Sequence, residues 1–157
     1  MSIMKQILTF LLALSFGFSF AQTTLIPDTT FEQRLIDLGL DTGIPDGSVP
    51  TANIDTVRSL DVSNIGITDL TGIEDFTALE SLNCNGGFSE FLGTTGQINI
   101  LDLSQNLNLK YLDCSNNYIS SLDISQNSKL EYLNCFANKL TSLNITGTDS
   151  LKYLNCG

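Results

Sequence analysis

The sequence predicts an α/β solenoid, with short parallel β-strands lining a concave face behind a helical N-terminal cap. Three observations carry that prediction. One phrase recurs as SLNC, YLDC, YLNC and YLNC, ending at Cys84, Cys114, Cys135 and Cys156, the last three at a constant interval of 21 residues. Within it, the second Leu and the Cys are two apart and so share one face of a strand. A helix-start signal lies ahead of the first copy, where an end coil needs a lid.

Composition narrows the function classes before any element is assigned. A chain of 157 residues with 42% hydrophobic content can bury one core. A formal charge of −10 argues against nucleic acid, which requires clustered Lys and Arg, and against an anionic membrane surface. The sequence contains no His. That removes Ser-His-Asp and Cys-His catalysis, His-ligated metals and the commonest general base. No cofactor or metal is expected, and no catalytic residues are assigned.

The elements follow in chain order. Lys5 precedes an apolar run over residues 7–20 (ILTFLLALSFGFSF), and Ser19-Phe20-Ala21 places small residues at the −3 and −1 positions of a cut after Ala21. This is the pattern of a secretory signal peptide over 1–21, and the run is short for a membrane span. Removing the +1 of Lys5 from −10 leaves a mature charge of −11. The mature chain is expected to be exported, secreted or held at the cell surface, with no membrane insertion after signal removal.

Residues 22–56 form the expected cap. Thr29…Glu32 or Thr30…Gln33 reads as a capping box, and Phe31, Leu35 and Leu38 follow at helical spacing. Gly39 and Gly43 end the helix, Pro45-Asp46-Gly47 makes a turn, and residues 49–54 continue extended.

Residues 57–157 are repeats: 57–78, 79–108 with an insertion, 109–129, 130–150 and a partial copy at 151–157. The unit is L-x-x-L-x-C-x-x-N-x-L-x-x-L-x-I. It is filled in the third copy by Leu109, Leu112, Cys114, Asn117, Ile119, Leu122 and Ile124. The fourth copy supplies Leu130, Leu133, Cys135, Asn138, Leu140, Leu143 and Ile145. Val62 stands in the Cys position of the first copy, and Ile65 in its Asn position. One coil cannot cover its own apolar edges, so stability comes from stacking neighbours. Asn117 and Asn138, at the turn after the strand, are expected to bond neighbouring backbone from inside, because an unpartnered buried amide is costly. Leu151, Leu154 and Cys156 have no following coil in this sequence, so the expectation is either that the sequence is a fragment of a longer protein or that this strand pairs with another chain.

The repeat phrase resembles the leucine-rich-repeat family, and in particular the cysteine-containing, internalin-like repeats of secreted and surface bacterial proteins. The resemblance covers residues 57–157 and, more loosely, the preceding IPDTTFEQRLIDLGLD segment as a cap. It implies a solenoid that recognises other molecules rather than one that catalyses.

The cysteines occupy one inward position. Stacked strands place equivalent Cα atoms about 4.8 Å apart, but their Cβ vectors run parallel, whereas disulfides want Cβ atoms at roughly 3.5–4.5 Å. Cys84, Cys114, Cys135 and Cys156 therefore read as a buried thiol ladder, with a strained disulfide between neighbours as the alternative. Ligands from four successive coils would form a line, not the tetrahedron that zinc needs.

The outward strand positions form three columns. Arg58, Glu80, Lys110, Glu131 and Lys152 alternate in sign, as a solvated face held in register would. Ser59, Ser81, Tyr111, Tyr132 and Tyr153 make the second column. Asp61, Asn83, Asp113, Asn134 and Asn155 make the third, and Phe136 extends the aromatic surface. Tyr combines rigid apolar area with a hydroxyl, and neighbouring Asn and Asp can read glycan hydroxyls or peptide amides. The Tyr row, the third column and Phe136 are thus the candidate ligand-binding residues, for a protein or glycan. The same row also reads as cross-strand pairing that stiffens the sheet.

Other signals are weaker. The insertion over residues 85–97, with Phe88, Phe91 and Leu92, reads as a hook, a fold-back on the convex side or a degenerate repeat. DTGIPDG at 41–47 lacks the register of a calcium loop. The Asp102, Asp123 and Asn144 column gives no carboxylate pair, and Asn144-Ile145-Thr146 matches a glycosylation sequon. The expected function is non-catalytic recognition, with a structural spacer or adhesive stalk as the alternative.

Overall fold

The structure, a computed structural model, describes residues 22–89, 93–94 and 96–157. The leader reading of 1–21 and the insertion residues Phe91 and Leu92 lie outside the described residues.

The cap is a two-stranded antiparallel ribbon flanking a helix. Strand β1 (Thr23–Leu25) pairs with β2 (Ser48–Pro50), and α1 (Thr29–Asp37) lies between them in sequence. The N-cap of α1 is Asp28, not a threonine. Its Oδ1 accepts from the Thr30 and Phe31 N–H groups, while its Oδ2 accepts from the Thr68 N–H, the Thr68 hydroxyl and the Asp69 N–H. One carboxylate thus satisfies orphan donors of the helix and ties it to the first coil. Glu32 does not close a capping box. It is fully buried and accepts from the Asp46 N–H at 2.7 Å and the Gly47 N–H at 2.8 Å, holding the turn before β2. The helix ends in a Schellman motif, with Gly39 at φ +73°, Gly39 N–H donating to Ile36 and Leu40 N–H to Leu35. Residues 49–54 are extended only as far as Pro50; a helical turn, α2 (Thr51–Ile54), follows and buries Ile54.

Five parallel strands then make the concave sheet: β3 (Ser59–Asp61), β4 (Ser81–Asn83), β7 (Tyr111–Asp113), β9 (Tyr132–Asn134) and β11 (Tyr153–Asn155). Register is strict, with Leu60, Leu82, Leu112, Leu133 and Leu154 as successive partners. Each strand is entered through a shared carbonyl: Lys110 O accepts from both the Glu131 and Tyr132 N–H groups, and Glu80, Arg58 and Glu131 do the same for their neighbours. A short 3₁₀ turn (Ile73–Asp75) closes the first coil. On the convex side β8 (Ser121–Asp123) and β10 (Ser142–Asn144) pair in parallel.

The insertion contains a small antiparallel hairpin, β5 (Phe88–Ser89) with β6 (Gly93–Thr94). Its neck is Gly86 and Gly96, where any Cβ would run into the Asn116 carbonyl oxygen. Glycine is required there by close backbone approach.

The core runs along the solenoid axis and unites cap and coils. Phe31, Leu35 and Ile54 from the cap join Leu60, Phe76, Leu79, Leu82, Leu112 and Leu133 in one buried cluster. Burial declines in the last coils: Leu140, Leu143 and Leu151 are half-buried, and Leu154 is exposed.

Candidate functional site

The concave face is assembled by β3, β4, β7, β9 and β11, whose inward Leu residues lock the outward side chains into columns. The first column is ion-paired within itself, three cations against two carboxylates. Arg58 and Lys110 both pair with Glu80, the latter at 2.6 Å, and Lys152 pairs with Glu131 at 2.8 Å. Lys110, through its hydrogen bond and charge, and then Arg58 hold the Glu80 carboxyl below its ordinary value; Lys152 does the same for Glu131.

The three tyrosines of the second column stack. Tyr111 and Tyr132 have ring centroids 4.5 Å apart at 9°, and Tyr132 and Tyr153 are 4.4 Å apart at 4°. The strand spacing imposes this separation. Rings so nearly parallel cover one another's faces and present edges and hydroxyls outward. Burial, then the nearby Asp113 charge, raises the Tyr111 phenol; burial and the flanking Tyr111 and Tyr153 raise Tyr132. Both phenols therefore stay protonated at neutral pH and remain donors.

The third column is engaged in local turns. Asp61, Asn83, Asp113 and Asn134 each accept, through Oδ1, from the N–H two residues on. Asn134 also donates to Asp113 at 3.0 Å, and Asn83 to Asp61 at 3.4 Å. Buried Ser115 knots the rim, donating to Asp113 at 2.6 Å and accepting from Asn85 and Asn134. Asn155 is half-buried at the last strand, and Phe136 is 48% exposed at the C-terminal rim.

Behind the sheet, Asn117 donates to the Cys84, Cys114 and Ser115 carbonyls and accepts from the Ile98 N–H. Asn138 repeats the pattern one coil on, with Cys114, Cys135 and Phe136 carbonyls and the Ile119 N–H. Ile65, in the same position of the first coil, ends that ladder and is partly exposed. A second buried ladder, Asn106 and Asn127, was not singled out from the sequence. Asn106 donates to Ile73 and Phe76, and Asn127 to Leu103 and Asn106. The recurring S-Q-N at 104–106 and 125–127 is its sequence signal.

All four cysteines are free thiols. Cys84, Cys114 and Cys135 are buried, whereas Cys156, on the last strand of the sheet with no coil stacked on its outer side, is exposed. Burial pushes the Cys84 and Cys114 thiols up, and Cys135 up to about 11. Among the described residues no acidic, His or Cys cluster suits a metal ion, and no helix is long and apolar enough to cross a membrane.

Residues 107–148 match the family model described as leucine-rich repeats (2 copies). No curated protein matches the chain. Among solved structures, the chain is similar to the functional domain of InlJ from Listeria monocytogenes, which is described as including a cysteine ladder. Identity is 38% over 87% of this chain, with a TM-score of 0.73, and the chain spans 29% of that domain. It is similar in fold to the internalin InlF of Listeria monocytogenes, at 22% identity and TM-score 0.55, covering 83% of this chain and 43% of that one. It is likewise similar to internalin C2 of the same species, at 19% identity and TM-score 0.60, covering 87% and 69%. The strict parallel register, the repeat phrase and these likenesses make the chain an internalin-like leucine-rich-repeat solenoid.

Proposed function

We propose that this chain is the non-catalytic recognition module of an exported protein, secreted or displayed at the cell surface, and that it binds a protein or glycan through its concave face. The observation that carries the reading is the Tyr111–Tyr132–Tyr153 stack, flanked by a column of ion pairs on one side and a hydrogen-bonded Asp and Asn column on the other. A rigid row of phenol hydroxyls and ring edges offers apolar area and donors at little cost in side-chain entropy, as hot-spot residues do. Curved solenoid faces are suited to extended partners.

A structural spacer is the second reading, favoured by the internal satisfaction of the first and third columns. The test is replacement of Tyr111, Tyr132 and Tyr153 by Ala together, followed by binding measurements against panels of purified extracellular proteins and glycans. Recognition predicts at least a tenfold loss for whichever panel member binds the parent chain, with the fold retained by circular dichroism. Undiminished binding would remove the Tyr face from the account and leave the spacer reading in front.

A further inference from the structure

The second concave column changes character between β4 and β7, from hydroxymethyl groups at Ser59 and Ser81 to the phenol of Tyr111. Tyr132 covers one face of the Tyr111 ring at 4.5 Å. The opposite face looks across the Ser81 tier, where strict register places Ser81 directly beside Tyr111. Two tiers without a ring make a notch roughly 10 Å long, from the strand spacing. Its floor is Ser59 and Ser81, and its wall is an aromatic face that no other ring covers among the described residues.

The surroundings of the notch are balanced in charge. Along one side run Arg58, Glu80 and Lys110, joined as ion pairs. Along the other run Asp61, Asn83 and Asp113. Arg34 of the cap helix reaches in from the end, its Nε donating to the Asp61 carbonyl at 3.1 Å. Three cations thus stand against three carboxylates, and neither an anion nor a cation is drawn in by net charge. What remains is a demand for a flat apolar face to lie on Tyr111 and for hydroxyl donors to meet the carboxylate and amide oxygens, bonds strengthened by the ionised acceptors.

We infer that this notch is a subsite for one uncharged hexopyranose unit, stacked through its C–H face on Tyr111, with its hydroxyls toward the Asp61–Asn83–Asp113 column. The assignment rests on the concave-face reading and narrows it to one end of the Tyr row. A pyranose is one ring thick and fits within the Ser81 tier, while the Ser59 tier leaves room for the linkage to the next unit. The stacked faces between Tyr111, Tyr132 and Tyr153 are closed to any such ring.

The test is titration of the purified chain with lactose, cellotriose, maltotriose, mannotriose and triacetylchitotriose, followed by residue-resolved NMR. Saturable shifts at Ser59, Ser81 and Tyr111 are expected for at least one sugar. Ser81→Tyr extends the stack and fills the notch, so it should weaken binding more than tenfold. If that variant does not fold, Tyr111→Leu should produce the same loss by removing the ring face. Tyr118→Ala, outside the concave strands and capped by Lys139, should change affinity less than twofold. Sugar shifts centred on Tyr132 and Tyr153 and indifferent to Ser81→Tyr would overturn the notch but keep the concave face. A protein partner lost with the triple Tyr variant, with no sugar bound at all, would overturn the sugar assignment alone. Absence of both kinds of binding would overturn the subsite and the recognition reading together.

Discussion

Ala137 adopts the left-handed region at φ +53°, and the equivalent positions of earlier coils are Asn64 and Asn116 at φ +59° and +57°. Asn tolerates that region, whereas a Cβ on Ala meets the following carbonyl without compensation. Ala137→Gly is therefore expected to stabilise the chain by roughly 0.5–1 kcal/mol, read as a raised denaturant midpoint at unchanged slope. Asn117 acts in the opposite sense. Replacing it by Ala strands the Ile98 N–H and the Cys84 carbonyl in a dry interior, costing on the order of 2–4 kcal/mol. Asn138→Ala should cost less under the same urea titration, because its site is only part-buried and water can replace the lost amide. The Asn117 and Asn138 positions were legible from the phrase because a recurrent Asn beside inward Leu has few other uses. Asn106 and Asn127 were not, because a polar residue in a turn reads as solvated until the stacking coil is known to cover it.

Among the elements, the junction of cap and first coil hangs on Asp28. Burial opposes its ionisation, but hydrogen bonds from Thr68, Phe31 and Asp69 outweigh that and hold its pKa below the ordinary value. A depressed carboxyl contributes stability that is fully present above the unfolded value of about 4 and is lost as pH falls through the folded value. Asp28→Asn keeps a capping side chain but not the charge. The variant is expected to be less stable than the parent at about pH 6 and to converge on it as pH falls through the folded value, as followed by thermal melting. Asp61 and Asp123 are depressed as well, so the parent keeps a residual acid sensitivity that the variant shares. The helix itself was readable from Phe31, Leu35 and Gly39, but its true cap was not. Thr29 and Thr30 fit the local rule equally well, and only the 40-residue return to Thr68 decides in favour of Asp28. The same holds for Glu32, whose burial depends on the Asp46–Gly47 turn closing over it.

For the whole molecule, repetition makes the architecture legible and leaves the exceptions obscure. Five strands in one register follow from a phrase repeated at fixed spacing, since a slip of one residue would turn every Leu outward. The insertion breaks that spacing, and nothing in 85–97 announced a hairpin pinched at Gly86 and Gly96. The stacked phenols followed from register alone, whereas the turn bonds that occupy Asp61 and Asp113 required the backbone path. Axial position also grades thiol reactivity. At about pH 8 the folded chain should yield one rapidly modified thiol, Cys156, while Cys84, Cys114 and Cys135 react only as the coils open. Fewer than four thiols after denaturation would reveal a disulfide between neighbours and overturn the free ladder. The stacked phenols have an optical consequence besides. The chain has no Trp and four Tyr, three of them in the concave stack. Its ultraviolet emission and near-ultraviolet dichroism therefore arise mainly from stacked chromophores on a single surface, with Tyr118 as the remaining tyrosine. The molecule thus carries a built-in, label-free reporter of whatever settles on that surface.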